Sequence, residues 1–137
     1  MDKEKVKKQA EYWFLTAKHD YDTMKSLFDS RRYSDSLFFA HIVLEKILKS
    51  LLVLENEKSA PMIHDLSMLA RLAKVNLTEA EGGLLEKMNQ FNIRSRYPDY
   101  KLNFYKICDR NYTVNYLKKI NALYQNLCLN PKLKKLL

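Results

Sequence analysis

The sequence predicts an all-α protein, an up-and-down four-helix bundle with an additional short helix, and three observations carry that expectation. Apolar residues recur at steps of three and four over stretches of several helical turns. Glycine occurs only twice, side by side at Gly82 and Gly83, and proline three times, at Pro61, Pro98 and Pro131. Hairpin turns and phosphate loops, which depend on glycine at φ > 0, therefore lose their main signal. Hydrophobic residues make up 47% of the 137, which excludes a disordered chain and fits one domain.

From about Lys3 to Ser30, the residues Val6, Ala10, Trp13, Ala17, Tyr21, Met24 and Phe28 fall on one stripe, giving a first helix of about 40 Å that only a bundle or an extended partner can cover. A second helix runs to about Glu55, with Ser34 or Asp35 as its expected cap. It is apolar on several faces, so it belongs at the centre of the bundle or is shared with another subunit. Asp65 is placed to cap a short third helix containing Leu66, Leu69 and Ala70. Thr78 and Glu81 have capping-box spacing and open a fourth, with Leu84, Leu85, Met88 and Phe91 inward. A close helix contact is the expected reason for Gly82 and Gly83. Tyr97 precedes Pro98 and is pushed out of the α region, ending that helix near Arg94 to Arg96. Tyr100, Leu102 and Phe104 alternate without a partner strand, so residues 100–110 read as an ordered loop. Thr113 is the expected cap of a last helix through Leu117, Ile120, Leu123 and Leu127, closed by Asn130-Pro131. The bundle is assigned to residues 1–130 and a basic tail to 131–137.

The net charge of +8 is local: residues 1–100 carry +1, and residues 101–137 carry +7 with Asp109 as their one acidic side chain. Such a segment suits an acidic partner or is a solvated tail. Cys108 and Cys128 lack CxxC spacing and nearby histidines, so reduced thiols and no metal site are expected. The N-terminal residues lack a signal-peptide apolar core, and charges interrupt the most apolar stretch, Leu37 to Leu54. A soluble, cytoplasmic protein without a membrane association or cofactor is expected. HExxH, GxSxG and paired carboxylates with supporting ligands are absent, which removes the hydrolase chemistries that depend on them.

Two constellations carry the candidate residues. His41, Glu45 and Lys49 follow at i, i+4 and i+8 along one edge of the second helix. The carboxylate there needs a cation, either Lys49 nearby or Arg94 or Arg96 from a distance; a structural ion pair fixing helix register is the competing role. Arg94, Arg96, Tyr97 and Asp99 gather at the forced helix end, where guanidinium binds phosphate and a phenol ring stacks on a base. The competing role is helix C-capping with an Arg96–Asp99 pair. On a continuing helix the two arginines point about 160° apart, so one faces inward and the other solvent. His19 projects from the polar face of the first helix, and His64 beside Asp65 is either an acid/base pair or part of a cap.

The segment from Ser36 to Leu52 (SLFFAHIVLEKILKSLL), the helix start PMIHDL from Pro61 to Leu66, the turn Arg96-Tyr97-Pro98-Asp99, and a closing helix introduced by Tyr112-Thr113 together resemble the HEPN domain of prokaryotes. The resemblance covers nearly the whole chain. It implies a helical homodimer, often encoded beside a minimal nucleotidyltransferase and commonly part of a toxin–antitoxin or defence pair. In the nuclease branch an arginine followed after four to six residues by histidine forms a metal-independent RNA-cleaving site across the dimer. Here those positions hold Asp99, Tyr100 and Lys101 counted from Arg94, and Lys101, Leu102 and Asn103 counted from Arg96; no histidine follows His64. Histidine suits the acid/base step at neutral pH, whereas phenols titrate at about pH 10. Nucleotide or RNA binding by Arg94, Arg96 and Tyr97, with Glu45 and Lys49 orienting the arginines and His41 beside them, is thus favoured over catalysis. The enzyme alternative is a metal-independent endoribonuclease toxin with an atypical site, in which His41 or His64 replaces the missing base. A third class is an interaction module whose apolar second helix makes the dimer.

Overall fold

Helix α1, Lys3–Asp29, starts the chain in the computed structural model, which describes residues 1–136. The Asp2 carboxylate accepts from the Lys5 amide at 2.8 Å and caps α1. Its inward stripe is Val6, Ala10, Phe14, Ala17 and Met24; Trp13, Tyr21 and Phe28 flank that stripe half-buried. Arg31 takes the left-handed conformation at φ 62° and reverses the chain into helix α2, Tyr33–Asn56. The expected caps differ: no side chain caps α2, Ser34 is buried within it, and Asp35 accepts from Arg32 Nε at 3.0 Å. The tight reversal moves the helix start ahead of both residues, and Asp35 in the first turn answers the helix dipole instead.

α2 lies at the centre. Leu37, Ala40, Val43, Leu44, Ile47 and Leu48 are fully buried, as a helix apolar on several faces requires. Ser36 Oγ donates to the Met24 carbonyl at 2.8 Å and Ser50 Oγ to the Ala10 carbonyl at 2.7 Å. These satisfied small hydroxyls let α1 and α2 pack closely without an orphaned polar atom.

Asp65 caps helix α3, Leu66–Leu72, accepting from the Ser67 and Met68 amides. Thr78 and Glu81 form both halves of a capping box at the start of helix α4, Glu79–Arg96. Tyr97 is extended at φ −94° and ψ 126°, the conformation a residue before proline adopts, and α4 stops there. The expected reason for the glycine pair does not hold. A Cβ on Gly82 or Gly83 meets nothing within 4 Å, and neither has positive φ.

The expected loop at 100–110 is instead helix α5, Pro98–Ile107, with Pro98 in its first turn. Proline suits that position because its missing N–H is unused there. No apolar stripe marks the helix because Phe104 alone is buried; it packs against Phe91 with ring centroids 5.4 Å apart. Helix α6, Arg110–Cys128, is capped by Asp109 on the Tyr112 amide at 2.8 Å. The expected cap, Thr113, lies inside the helix, buried and donating back to the Asp109 carbonyl. Tyr21 stacks on Tyr124 at 4.2 Å and donates to Asn121 at 2.7 Å, joining α1 to α6.

The long helices α1, α2, α4 and α6 make the all-α bundle, with short helices added at its joints. Helix α7, Pro131–Lys134, falls in the segment set apart as a basic tail. Its Leu133 is fully buried, and Lys132 pairs with Glu55 of α2. Residue 137, the last of that segment, lies outside the described residues.

Candidate functional site

The apolar core of α2 carries one polar edge, His41, Glu45 and Lys49, and helical spacing puts all three on the same side. Lys49, 4% exposed, donates to Glu45 Oε2 at 3.0 Å, and its ammonium lies 5.1 Å from the centroid of the Trp13 ring. The carboxylate and the aromatic face together compensate an ammonium taken out of water. Glu45 Oε1 faces His64 Nδ1 at 3.0 Å and His41 Nδ1 at 3.8 Å. His64 is brought there by the start of α3. Asn89 of α4 accepts from the Leu66 amide and donates to Asp65, both at 3.0 Å, which fixes the turn bearing His64.

His41 is the anomaly. It is 1% exposed, and neither ring nitrogen has a hydrogen-bond partner. Burial pushes its pKa down to about 4, and the Arg96 charge pushes the same way; Glu45 opposes them, as do the His64 backbone and the Asn89 amide, which lie near the ring without hydrogen-bond geometry. At neutral pH the imidazole is uncharged, with one unused N–H and one unused lone pair. Each buried, unsatisfied polar atom costs about 1–3 kcal/mol, and such orphans in a folded protein point to a use.

The arginines diverge at the end of α4. Arg94, half-buried, lies over the Phe104 ring at 5.1 Å and so anchors α5. Arg96 is exposed; Nε donates to Asn92 Oδ1 at 3.0 Å, and the guanidinium sits 5.7 Å from the centroid of the Phe38 ring, one turn before His41. Tyr97 beside it is 56% exposed. It ends α4 and precedes α5, whose N-terminus has no side-chain cap. Asp99 is exposed in the first turn of α5, without an ion pair to Arg96 among the described residues.

The structure thus brings His41, Glu45 and Lys49 together with Arg96 nearby, and sends Arg94 elsewhere. The expectation that Glu45 and Lys49 orient the arginines is corrected. Both carboxylate oxygens are taken by Lys49 and His64, and Asn92 holds Arg96. The sequence reading misses Asn89, although Asn89, Asn92 and Arg96 recur at helical spacing on one face of α4. His64, expected beside Asp65 as an acid/base pair or part of a cap, bonds across to Glu45 of α2.

The exposed guanidinium of Arg96 and an imidazole N–H nearby suit a phosphate oxygen, and the exposed phenol of Tyr97 suits a stacked base. The carbonyl end of α4 disfavours an anion, so the side-chain charge must outweigh it. Among the described residues, no three of His, Cys, Asp and Glu come together as metal ligands, and no helix is long and apolar enough to cross a membrane. A family model, the HEPN domain, matches residues 10–127. No curated protein and no solved structure matches the chain significantly.

Proposed function

The chain belongs to the HEPN domain family, and from that premise we propose that it binds the phosphate of a nucleotide or of RNA at the end of α4. The observation that carries this reading is His41, a buried neutral imidazole with both nitrogens unpaired, beside the exposed Arg96. A bound phosphate oxygen would accept from the imidazole N–H and from the guanidinium, and a base would stack on Tyr97. The glycine shortage fits the same picture, because such a site needs side chains and not a backbone cradle.

Titrating a single-stranded RNA oligonucleotide and, separately, a nucleoside triphosphate at two salt concentrations tests it. Arg96→Ala should weaken binding about tenfold and lower the salt slope by about one. Unchanged affinity and slope would remove the proposal.

A second reading, a metal-independent endoribonuclease without the arginine–histidine motif, is favoured by one observation. His64 presents Nδ1 to Glu45 at 3.0 Å while remaining exposed; in the tautomer with Nδ1–H donating to that carboxylate, Nε2 would be free to accept a proton from a ribose hydroxyl. RNA incubated in EDTA and cleaved by the wild type but not by His64→Gln would replace binding with catalysis.

We further infer a homodimer and a minimal nucleotidyltransferase partner in a toxin–antitoxin or defence pair, a reading that the family resemblance supports. Self-association has one physical support: Ile93, Tyr97, Tyr100, Leu102 and Tyr105 are all at least 41% exposed on α4 and α5, and exposed apolar residues gathered in one segment mark an interface.

A further inference from the structure

The chain's two glycines have no backbone reason to be there. Both lie inside α4 with negative φ, and a Cβ on either would meet open space. Gly83 lines a cleft of about 600 Å³ between the first half of α4 and the middle of α6. The buried Leu84 and Leu123, the half-buried Tyr116 and the exposed Ala80, Gly83 and Ala122 line it. Lys87 and Lys119 stand at the mouth. Their ammonium groups lie 5.9 Å from Phe91 and 5.5 Å from Tyr116, and neither has a carboxylate partner among the described residues. Glu81, the acidic residue of the lining, is engaged at both oxygens, by the Thr78 amide and by Asn126.

We propose that this cleft binds a small amphiphilic anion, with its aromatic or acyl body over Leu84 and Leu123 against Tyr116 and its acid group between Lys87 and Lys119. The volume lies within the range of small-ligand sites, and an apolar floor with a few charged groups at one end is their usual make-up. The positive mouth selects an anion over a neutral body of the same shape. Gly83 lies 13 residues before Arg96, about 20 Å along α4, so this site is separate from the one at the helix end.

Two fluorescent probes test it on the intact chain: anilinonaphthalene sulfonate and the uncharged N-phenylnaphthylamine. The anion should bind at one saturable site about tenfold more tightly than the neutral probe, the preference expected from two charge-assisted contacts. Lys87→Gln with Lys119→Gln should erase that preference. Gly83→Leu should abolish the signal of both probes with melting temperature and helical circular dichroism retained. Equal affinity for the two probes, or unchanged binding to Gly83→Leu, would overturn the assignment. So would a dimer in light scattering that Gly83→Leu converts to monomer, because the occupant would then be a second copy of the chain.

Discussion

Acid should destabilise this protein through His41. The imidazole titrates at about 4 in the folded chain against an ordinary 6.5. Between those values the unfolded state binds the extra proton, so stability rises with pH there: it is fully present above 6.5 and lost as the pH falls toward 4. At pH 4.5 the unfolded histidine is protonated about 100:1, while the folded one remains mostly neutral, which amounts to about 2 kcal/mol lost relative to pH 7. At about 2.1 cal/mol/K of unfolding entropy per residue, this lowers the melting temperature by roughly 7 °C. Glu45, Arg96 and His64 lie near the ring in every variant, so the informative quantity is the difference from His41→Leu. Urea unfolding followed by circular dichroism at pH 7 and 4.5 measures it. His41→Leu should be at least as stable as the wild type at pH 7, because it removes two orphaned polar atoms, and should escape the acid loss attributable to this ring. Parallel loss of stability in the two proteins would refute a buried neutral His41.

Three further outcomes follow from the packing. Glu45→Ala leaves the Lys49 ammonium buried beside Trp13 without its carboxylate and should cost about 3 kcal/mol in denaturant unfolding, whereas Glu45→Gln with Lys49→Met should cost far less. Gly83→Ala meets no neighbouring atom, so it should stabilise by about 1 kcal/mol through helix propensity alone, read as a raised urea midpoint with unchanged slope. Phe104→Ala removes the one buried side chain of α5 and should cost about 3–5 kcal/mol, with hydrogen exchange across residues 98–107 accelerated more than in α2.

The four long helices were legible because each has a face to bury, and their periodicity records it. The Asp65 cap and the Thr78–Glu81 box were legible because capping is local chemistry. α5 was not, since a helix held by Phe104 and by Arg94 over its ring leaves no repeating pattern to read. The helix starts at Tyr33 and Arg110 were displaced by neighbours, Arg31 at positive φ and Asp109 in the better capping position. At the site, the spacing of His41, Glu45 and Lys49 foretold the ion pair within α2 but not the reach of His64. That contact depends on how Asn89 of α4 holds the start of α3, a tertiary arrangement with no signature in either segment. The unpaired state of His41 was equally hidden, because it depends on what fails to reach the ring.

Binding of a phosphate-bearing ligand by Arg96 and His41 is the core of the proposed function. Nitrogen-15 resonances of the His41 ring and of Arg96 Nε, followed while a nucleotide or short RNA is added, test it most directly. Both should move together and saturate with the ligand, while His19 on the exposed face of α1 stays unchanged. Saturable binding that leaves the His41 ring and Arg96 Nε unmoved would contradict it.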